Sequence, residues 1–222
     1  MLTRAPVMVA LSAVVAAAAQ GPQPPPGITR TQLADNATVL MARLRMEPGA
    51  REPIHTHPFA AVVIQLTRGS VDMTLGDEHT RAEREPGFVW FIPKEVPHAA
   101  VNTGSTAYDL ITIAIKPTRS EAAAAPATAA PAGITRTTLL DNDDARVVRA
   151  QFAPGSGEPV HTHPNDLVTV QLTMGRVEML VGSERTVEDR APGFVRFLPR
   201  GVPHAYGSAD TKAFDLLSVS VK

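Results

Sequence analysis

The chain has 222 residues, with 21 basic and 22 acidic side chains, a formal net charge of −1 and no cysteine. A near-neutral charge without a basic cluster argues against a nucleic-acid partner. The lack of cysteine excludes disulfides and thiolate metal sites, so any metal must be bound through nitrogen or oxygen.

Residues 1–19 have the pattern of an export signal. Arg4 precedes a run of apolar residues that ends in consecutive alanines, a small-residue cleavage pattern. The run of about 15 apolar residues is shorter than the roughly 20 that a membrane span needs. We therefore expect cleavage after Ala19, a Pro-rich spacer over residues 20–26, and a periplasmic or secreted protein with no membrane anchor.

The rest of the chain is one module written twice. Residues 27–116 align without gaps with residues 133–222, and roughly 42 of the 90 positions are identical. The intervening residues 117–132 are rich in Ala and Pro, which is typical of an extended linker. The sequence thus predicts two domains joined by this linker.

Each module has the pattern of β-strands. In the first module the segments AAVVIQLT, SVDMTLG, GFVWFIP and AYDLITIAI are short, apolar and bounded by turn residues. No segment after the export signal has an apolar stripe at helical spacing over three turns. An all-β sandwich or barrel is the fold class that this pattern predicts.

Histidines recur at matching places in the two modules. Residues two apart on a strand project from the same face, so His55 and His57 can converge, as can His161 and His163. A third imidazole, His98 or His204, follows in the sequence VPHA. Three imidazoles suit a divalent ion such as Fe, Mn, Zn, Ni or Cu. The alternative is a set of core histidines that hydrogen-bond to the backbone.

These motifs resemble the two signature motifs of the cupin superfamily. The first motif is matched in both modules, and the second is matched except that Glu95 replaces a Gly in module one and Ser208 replaces an Asn in module two. The matching residues are Gly49, His55, His57, Gly69, Gly87, Pro93, His98 and Asn102, then Gly155, His161, His163, Gly175, Gly193, Pro199, Gly201 and His204. The resemblance implies a bicupin, two tandem jelly-roll barrels with a metal site in one or both.

The modules depart from the cupin pattern at one metal ligand. In the family motif three or four residues separate the second His from a Glu, and we align Val62 and Val168 with that Glu. The resemblance then implies a three-His site, as in cupins similar to cysteine dioxygenase. Such neutral ligands leave the full charge on the ion. Three further alternatives for ligands or orienting groups are Asp166, the pair Gln65 and Gln171, and the pair Glu52 and Glu158.

The two predicted sites differ in polarity. Module two has Asn165, Asp166 and Tyr206 where module one has Phe59, Ala60 and Ala100. We expect a more polar second pocket, in which Tyr206 or Asp166 transfers a proton. The first pocket should have an apolar rim, suited to ligand binding or to contact between barrels.

The resemblance favours a metal-dependent enzyme that acts on a small organic molecule, most plausibly by a dioxygenase-type oxidation. The alternative is a non-catalytic cupin that binds a metal or a small ligand such as a sugar. A third interpretation is that both sites are vestigial and the barrels are structural. Assembly into a homo-oligomer is left open, and the sequence names neither the substrate nor the metal.

Overall fold

The structure, a computed structural model, describes residues 24–117 and 131–222. The predicted export signal and most of the predicted linker lie outside this part of the chain. In the described residues no helix is long and apolar enough to cross a bilayer. The secondary structure there is entirely β, as the sequence predicts. The strands are β1 (Ile28–Asp35), β2 (Val39–Met46), β3 (Arg51–His55), β4 (Ala60–Gln65), β5 (Gly69–Leu75), β6 (Glu78–Arg84), β7 (Val89–Ile92), β8 (His98–Asn102), β9 (Tyr108–Ile115), β10 (Ile134–Asp141), β11 (Ala145–Phe152), β12 (Asp166–Gln171), β13 (Gly175–Val181), β14 (Glu184–Arg190), β15 (Val195–Leu198), β16 (His204–Ser208) and β17 (Phe214–Val221).

Each module folds into two antiparallel sheets that face each other. The first module, barrel 1, has a five-stranded sheet in the order β1-β2-β9-β4-β7 and a four-stranded sheet in the order β3-β8-β5-β6. The second module, barrel 2, repeats these as β10-β11-β17-β12-β15 and β14-β13-β16. The strand equivalent to β3 is reduced there to two isolated bridges, Gly157 with Gly207 and His161 with His204. The predicted tandem jelly-roll barrels are confirmed.

The two five-stranded sheets pack against each other, and their contact forms a third hydrophobic core besides the two barrel interiors. Eight buried residues from each barrel make up this inter-barrel core. The contact is nearly symmetric, because Leu172 lies over Gly87 and Leu66 lies over Gly193. Sheets covered on both faces need apolar residues on both faces. This explains why β4 is buried along its whole length.

Alternate residues of β4 therefore serve different cores. Val62 and Ile64 belong to the inter-barrel core, whereas Ala61 and Val63 face the interior of barrel 1. In barrel 2, Val168 likewise belongs to the inter-barrel core and Leu167 faces inward. Our alignment of Val62 and Val168 with the motif Glu is therefore wrong. The shorter motif spacing, which places Ala61 and Leu167 there, is the one that the fold uses.

A tight turn before β8 links the second histidine motif to the first through a backbone hydrogen bond. The backbone N–H of Glu95 donates to the carbonyl oxygen of His57 at 2.8 Å, and that of Gly201 donates to His163 in the same way. Both residues have a positive φ, 61° at Glu95 and 73° at Gly201. A side chain with a Cβ is disfavoured in this conformation. In module one, the Glu that replaces the motif Gly therefore holds the backbone of this turn in a strained conformation.

Replacing Glu95 by Gly should stabilise the protein by about 0.5–1 kcal/mol, since relief of the left-handed backbone outweighs the added freedom of the unfolded chain. The reciprocal change, Gly201→Glu, should lower stability by about 1–2 kcal/mol. Urea unfolding of both variants measures the effect. Equal stabilities of the wild type and Glu95→Gly would contradict the assigned strain.

Candidate metal centre and barrel cavity

Three histidines of barrel 1 converge at one point. His98 at the start of β8 lies opposite His55 at the end of β3, and His57 follows two residues later. Their ring centroids are 4.3–4.7 Å apart. The nitrogens that each could offer a metal all lie within 4.8 Å of one another. The structure thus brings together the three ligands that the sequence predicts for this barrel.

The backbone orients two of these rings. Nδ1 of His55 lies 2.8 Å from the carbonyl oxygen of Pro53, and Nδ1 of His98 lies 2.9 Å from that of Val96. A carbonyl only accepts, so each Nδ1 carries the proton and each Nε2 presents its lone pair. Burial and the neighbouring imidazole of His98 lower the pKa of His57 to about 4. Burial also lowers the pKa of His98, so both rings are neutral at neutral pH.

Barrel 2 repeats this arrangement with His161, His163 and His204. Nδ1 of His161 and Nδ1 of His204 again face carbonyl oxygens, those of Pro159 and Val202. Burial and the neighbouring His161 lower the pKa of His163 to about 4. The structure therefore brings both predicted sets of histidines together as compact groups of imidazoles.

The spacing of the nitrogens fits a shared divalent ion. Two nitrogens bound about 2.0–2.1 Å from one ion, at angles between octahedral and tetrahedral, lie about 2.9–3.4 Å apart. The Nε2 atoms of His55 and His57 are 3.0 Å apart, and those of His161 and His163 are 3.1 Å apart. The residues present therefore fit Fe, Mn, Zn, Ni or Cu, and the choice among these ions is not fixed by three imidazoles.

Comparisons with known proteins agree with the fold. Residues 42–114, most of barrel 1, match the family model of the cupin domain. A salicylate 1,2-dioxygenase from Pseudaminobacter salicylatoxidans superposes with a TM-score of 0.72 at 14% identity, over 89% of this chain and 77% of its own. AerE from Microcystis aeruginosa gives 0.73 at 14% identity, over 89% and 93%. A cupin 2 conserved barrel domain protein from Leptotrichia buccalis gives 0.62 at 15%, over 90% and 91%.

Barrel 1 contains a cupin domain, and the chain as a whole has the fold of solved cupin structures. Only barrel 1 matches the family model. Barrel 2 is related to barrel 1 through the internal duplication and the shared fold. At 14–15% identity the solved structures show the cupin fold and nothing finer about activity. No curated protein matches the chain in sequence.

A carboxylate lies next to each group of histidines. Oε1 of Glu52 lies 3.7 Å from Nε2 of His55, and Oε2 of Glu158 lies 3.8 Å from Nε2 of His161. A bulge in β3 brings Glu52 to the same face as His55, although the two residues are three apart. Glu158 is also paired with Arg136. The orienting role that we predict for Glu52 and Glu158 remains a prediction consistent with these positions.

Barrel 1 contains a mostly apolar, partly open cavity of about 240 Å³ beside its histidines. His57 and His98 line it together with Ala61, which occupies the position of the motif Glu. Most of the other walls are hydrocarbon, contributed by residues such as Leu40, Leu44, Met46, Val63, Val71, Met73, Ile92 and Leu110. A neutral metal site thus adjoins a space that favours a compact apolar molecule.

Three packed aromatic side chains occupy the matching interior of barrel 2. Phe152, Tyr206 and Phe214 stand where barrel 1 has Met46, Ala100 and Tyr108, and their rings pack at centroid distances of 5.0–6.3 Å. Arg190, only 1% exposed, donates to the Tyr206 hydroxyl at 2.9 Å and pairs with Glu188. The burial of Arg190 could not be predicted from the sequence, since nothing local places this charged residue inside a barrel.

Tyr206 and Asp166, the two predicted proton-transfer residues, form hydrogen bonds with other groups of the protein. The Asp166 carboxylate accepts hydrogen bonds from the Thr38 hydroxyl of barrel 1 at 2.6 Å and from the Arg200 backbone N–H at 2.8 Å. Asp166 is not part of either group of metal-ligating atoms. Burial raises the pKa of Tyr206 to about 12, and its hydroxyl contacts Arg190 and Gln171. A catalytic role for Tyr206 or Asp166 remains a prediction.

A pair of Glu substitutions distinguishes the two faces of β4. Ala61→Glu adds a carboxylate on the inward face and should raise the metal affinity of barrel 1 about tenfold, because it adds an anionic ligand to neutral imidazoles. Val62→Glu buries the charge between the barrels and should cost about 3–5 kcal/mol of stability without tightening metal binding. Chelator competition and thermal unfolding measure both effects. Tighter metal binding by Val62→Glu alone would contradict the assignment.

The stability of the chelator-treated protein should fall as the pH drops from about 6.5 to about 4. In that window the unfolded chain binds protons at histidines whose pKa is near 6.5, while folded His57 and His163 stay neutral until pH 4 is approached. Urea unfolding at a series of pH values tests this. The control, His57→Gln with His163→Gln, should flatten the slope, and an unchanged slope would argue against the assigned pKa values.

Proposed function

We propose that this cupin is an exported metal-dependent enzyme that oxidises a small organic molecule with dioxygen, and that barrel 1 is its active centre. The observation that carries the proposal is that three converging imidazoles adjoin a mostly apolar cavity in barrel 1. The fold is shared with solved salicylate 1,2-dioxygenase, including forms that hold gentisate. Export rests on the signal pattern of residues 1–19.

The residues of barrel 1 have distinct tasks in this proposal. His55, His57 and His98 would hold the ion through Nε2, and a bound divalent ion of the redox-active kind supplies Lewis acidity and electron transfer to dioxygen. The hydrocarbon walls orient the substrate and exclude water. In an oxidative cleavage that places both oxygen atoms in the product, the carbon–carbon bond broken and the substrate supply all four electrons, so this reaction needs no additional reductant.

Barrel 2 fits the second candidate function, a non-catalytic metal-binding module. Its imidazoles converge as those of barrel 1 do, but Tyr206, Phe152 and Phe214 occupy the matching interior. Its ion would therefore stabilise the fold by binding to the native state only. The two barrels then have equivalent metal-ligating histidines and differ in what lies beside them, a cavity in barrel 1 and packed side chains in barrel 2.

Metal analysis and oxygen uptake of paired variants test this assignment. His55→Ala with His57→Ala should remove one bound ion per chain and abolish oxygen uptake, which is assayed with small aromatic acids such as gentisate and salicylate. The matched control, His161→Ala with His163→Ala, should also lose one ion but keep the uptake and lower the melting temperature. A metal content unchanged in both double variants would refute the ligand assignment.

A further inference from the structure

A carboxylate joins the two barrels by hydrogen bonds. Asp166, the first residue of β12, accepts through Oδ2 from the Thr38 hydroxyl of barrel 1 at 2.6 Å. Its other oxygen, Oδ1, accepts from the backbone N–H of Arg200 at 2.8 Å. Hydrogen bonds to an ionised acceptor are shorter and stronger than those between neutral groups. Asp166 therefore ties a side chain of barrel 1 to a backbone turn of barrel 2.

That turn, residues 199–202, supports two of the three metal-ligating histidines of barrel 2, and we call it the ligand turn. The backbone N–H of Gly201 donates to the carbonyl oxygen of His163 at 2.8 Å. The carbonyl oxygen of Val202 lies 2.9 Å from Nδ1 of His204. The partner of the non-ligating nitrogen sets the orientation of a metal-bound imidazole. A shift of the ligand turn would therefore move the backbone of His163 and rotate the ring of His204.

Thr38 is held in a fixed position by barrel 1. It is buried and lies directly before β2. Its backbone N–H donates to Oδ1 of Asn36 at 2.8 Å, and its carbonyl oxygen accepts from the backbone N–H of Lys116 at 2.8 Å. The next residue, Val39, is fully buried in the inter-barrel core. Little freedom is left for this side chain to lose when it bonds to Asp166.

The equivalent positions carry a different pair of residues in the opposite direction. Ala60 of barrel 1 stands at the position of Asp166, and its methyl group cannot accept a hydrogen bond. Asp144 of barrel 2 stands at the position of Thr38 and is exposed. The duplicated barrels are therefore not symmetric at this contact. The link leads from barrel 1 to the histidines of barrel 2, and the reverse link cannot form.

We propose that Thr38 is a positioning residue for the metal site of barrel 2, and that it acts across the barrel contact through Asp166 and the ligand turn. Barrel 2 then binds its ion at full strength only while this hydrogen bond to barrel 1 is in place. The proposal rests on the assignment of His161, His163 and His204 as metal ligands, and it is independent of the proposed oxidation in barrel 1.

The positions of its atoms give Asp166 a supporting role and not that of a ligand. It lies outside the compact group of metal-ligating atoms in barrel 2, and both of its oxygens already accept hydrogen bonds. Loss of a group that orients a metal-bound histidine typically lowers metal affinity about 10–100-fold. Because Asp166 acts through the ligand turn, we expect the lower end of this range, about tenfold.

The zinc affinity of a protein with one metal site tests the proposal. In the variant His55→Ala with His57→Ala, only barrel 2 keeps all three ligands, and chelator competition measures its zinc affinity. Adding Thr38→Val, which keeps the shape of the side chain without the hydroxyl, should weaken zinc binding about tenfold. Thr38→Ser keeps a hydroxyl and should preserve the affinity. An unchanged zinc affinity in Thr38→Val would overturn the proposal.

The other barrel provides the control for a general loss of stability. In the variant His161→Ala with His163→Ala, only barrel 1 keeps its site, and Thr38→Val should leave the zinc affinity unchanged there. Asp144→Asn, at the position equivalent to Thr38, should leave the affinity of either barrel unchanged. Circular dichroism shows whether each variant is folded. Equal weakening of both sites by Thr38→Val would indicate a general loss of stability and refute the positioning role.

A double-mutant cycle tests whether Asp166 is the link. Asp166→Ala, which copies Ala60 of barrel 1, should weaken zinc binding by barrel 2 at least as much as Thr38→Val, since it removes both hydrogen bonds. In the Asp166→Ala background, Thr38→Val should have no further effect. A full second loss of affinity in the double variant would show that the hydroxyl acts by another route and refute the proposal.

These measurements separate the positioning role from the proposed oxidation. Oxygen uptake enters none of them, so a barrel 2 that loses zinc affinity as described supports the proposal even if barrel 1 proves inactive. A barrel 2 that binds no zinc, combined with oxygen uptake by barrel 1, would refute the positioning role and leave the enzyme in place.

Discussion

The contact between the two five-stranded sheets is the constraint on which the rest of the structure depends. It covers the outer face of β4 and β12, which are covered on their inner face by the barrel interiors. A strand between two cores is mostly apolar on both faces, and β4, AAVVIQ, is buried throughout with Gln65 as its one polar residue. The contact fixes which alternate residues face the histidines and which face the other barrel.

The parts of the molecule that follow from local spacing could be predicted from the sequence. The all-β fold, the duplication and the convergence of His55, His57 and His98 depend on short strands, a constant repeat and an i, i+2 pair. The face of β4 on which Val62 lies could not be predicted, because a continuous apolar run has no alternation of polar and apolar residues to mark the two faces. Only its long-range pairing with Phe91 and Ile113 places it on the inter-barrel face.

The interior of barrel 2 was beyond sequence reasoning for a different reason. Arg190 is charged and lies on β14, a strand whose other charged residues a sequence pattern assigns to a solvated face. It is buried because its guanidinium donates to the Tyr206 hydroxyl across the barrel and to Glu188 on its own strand. Our expectation of a more polar second interior therefore has a basis in the structure, but the polar groups there pair with each other instead of with a ligand.

The alternation along β4 also bears on how such a protein can change over generations. Substitutions at Ala61, Val63 or Gln65 alter what barrel 1 encloses, and those at Val62 or Ile64 alter how the barrels join. Selection can thus act on ligand choice and on assembly almost independently, through neighbouring codons. Duplication of the barrel adds a second route of change, because one copy can fill its interior with its own side chains while the other retains a cavity for a ligand.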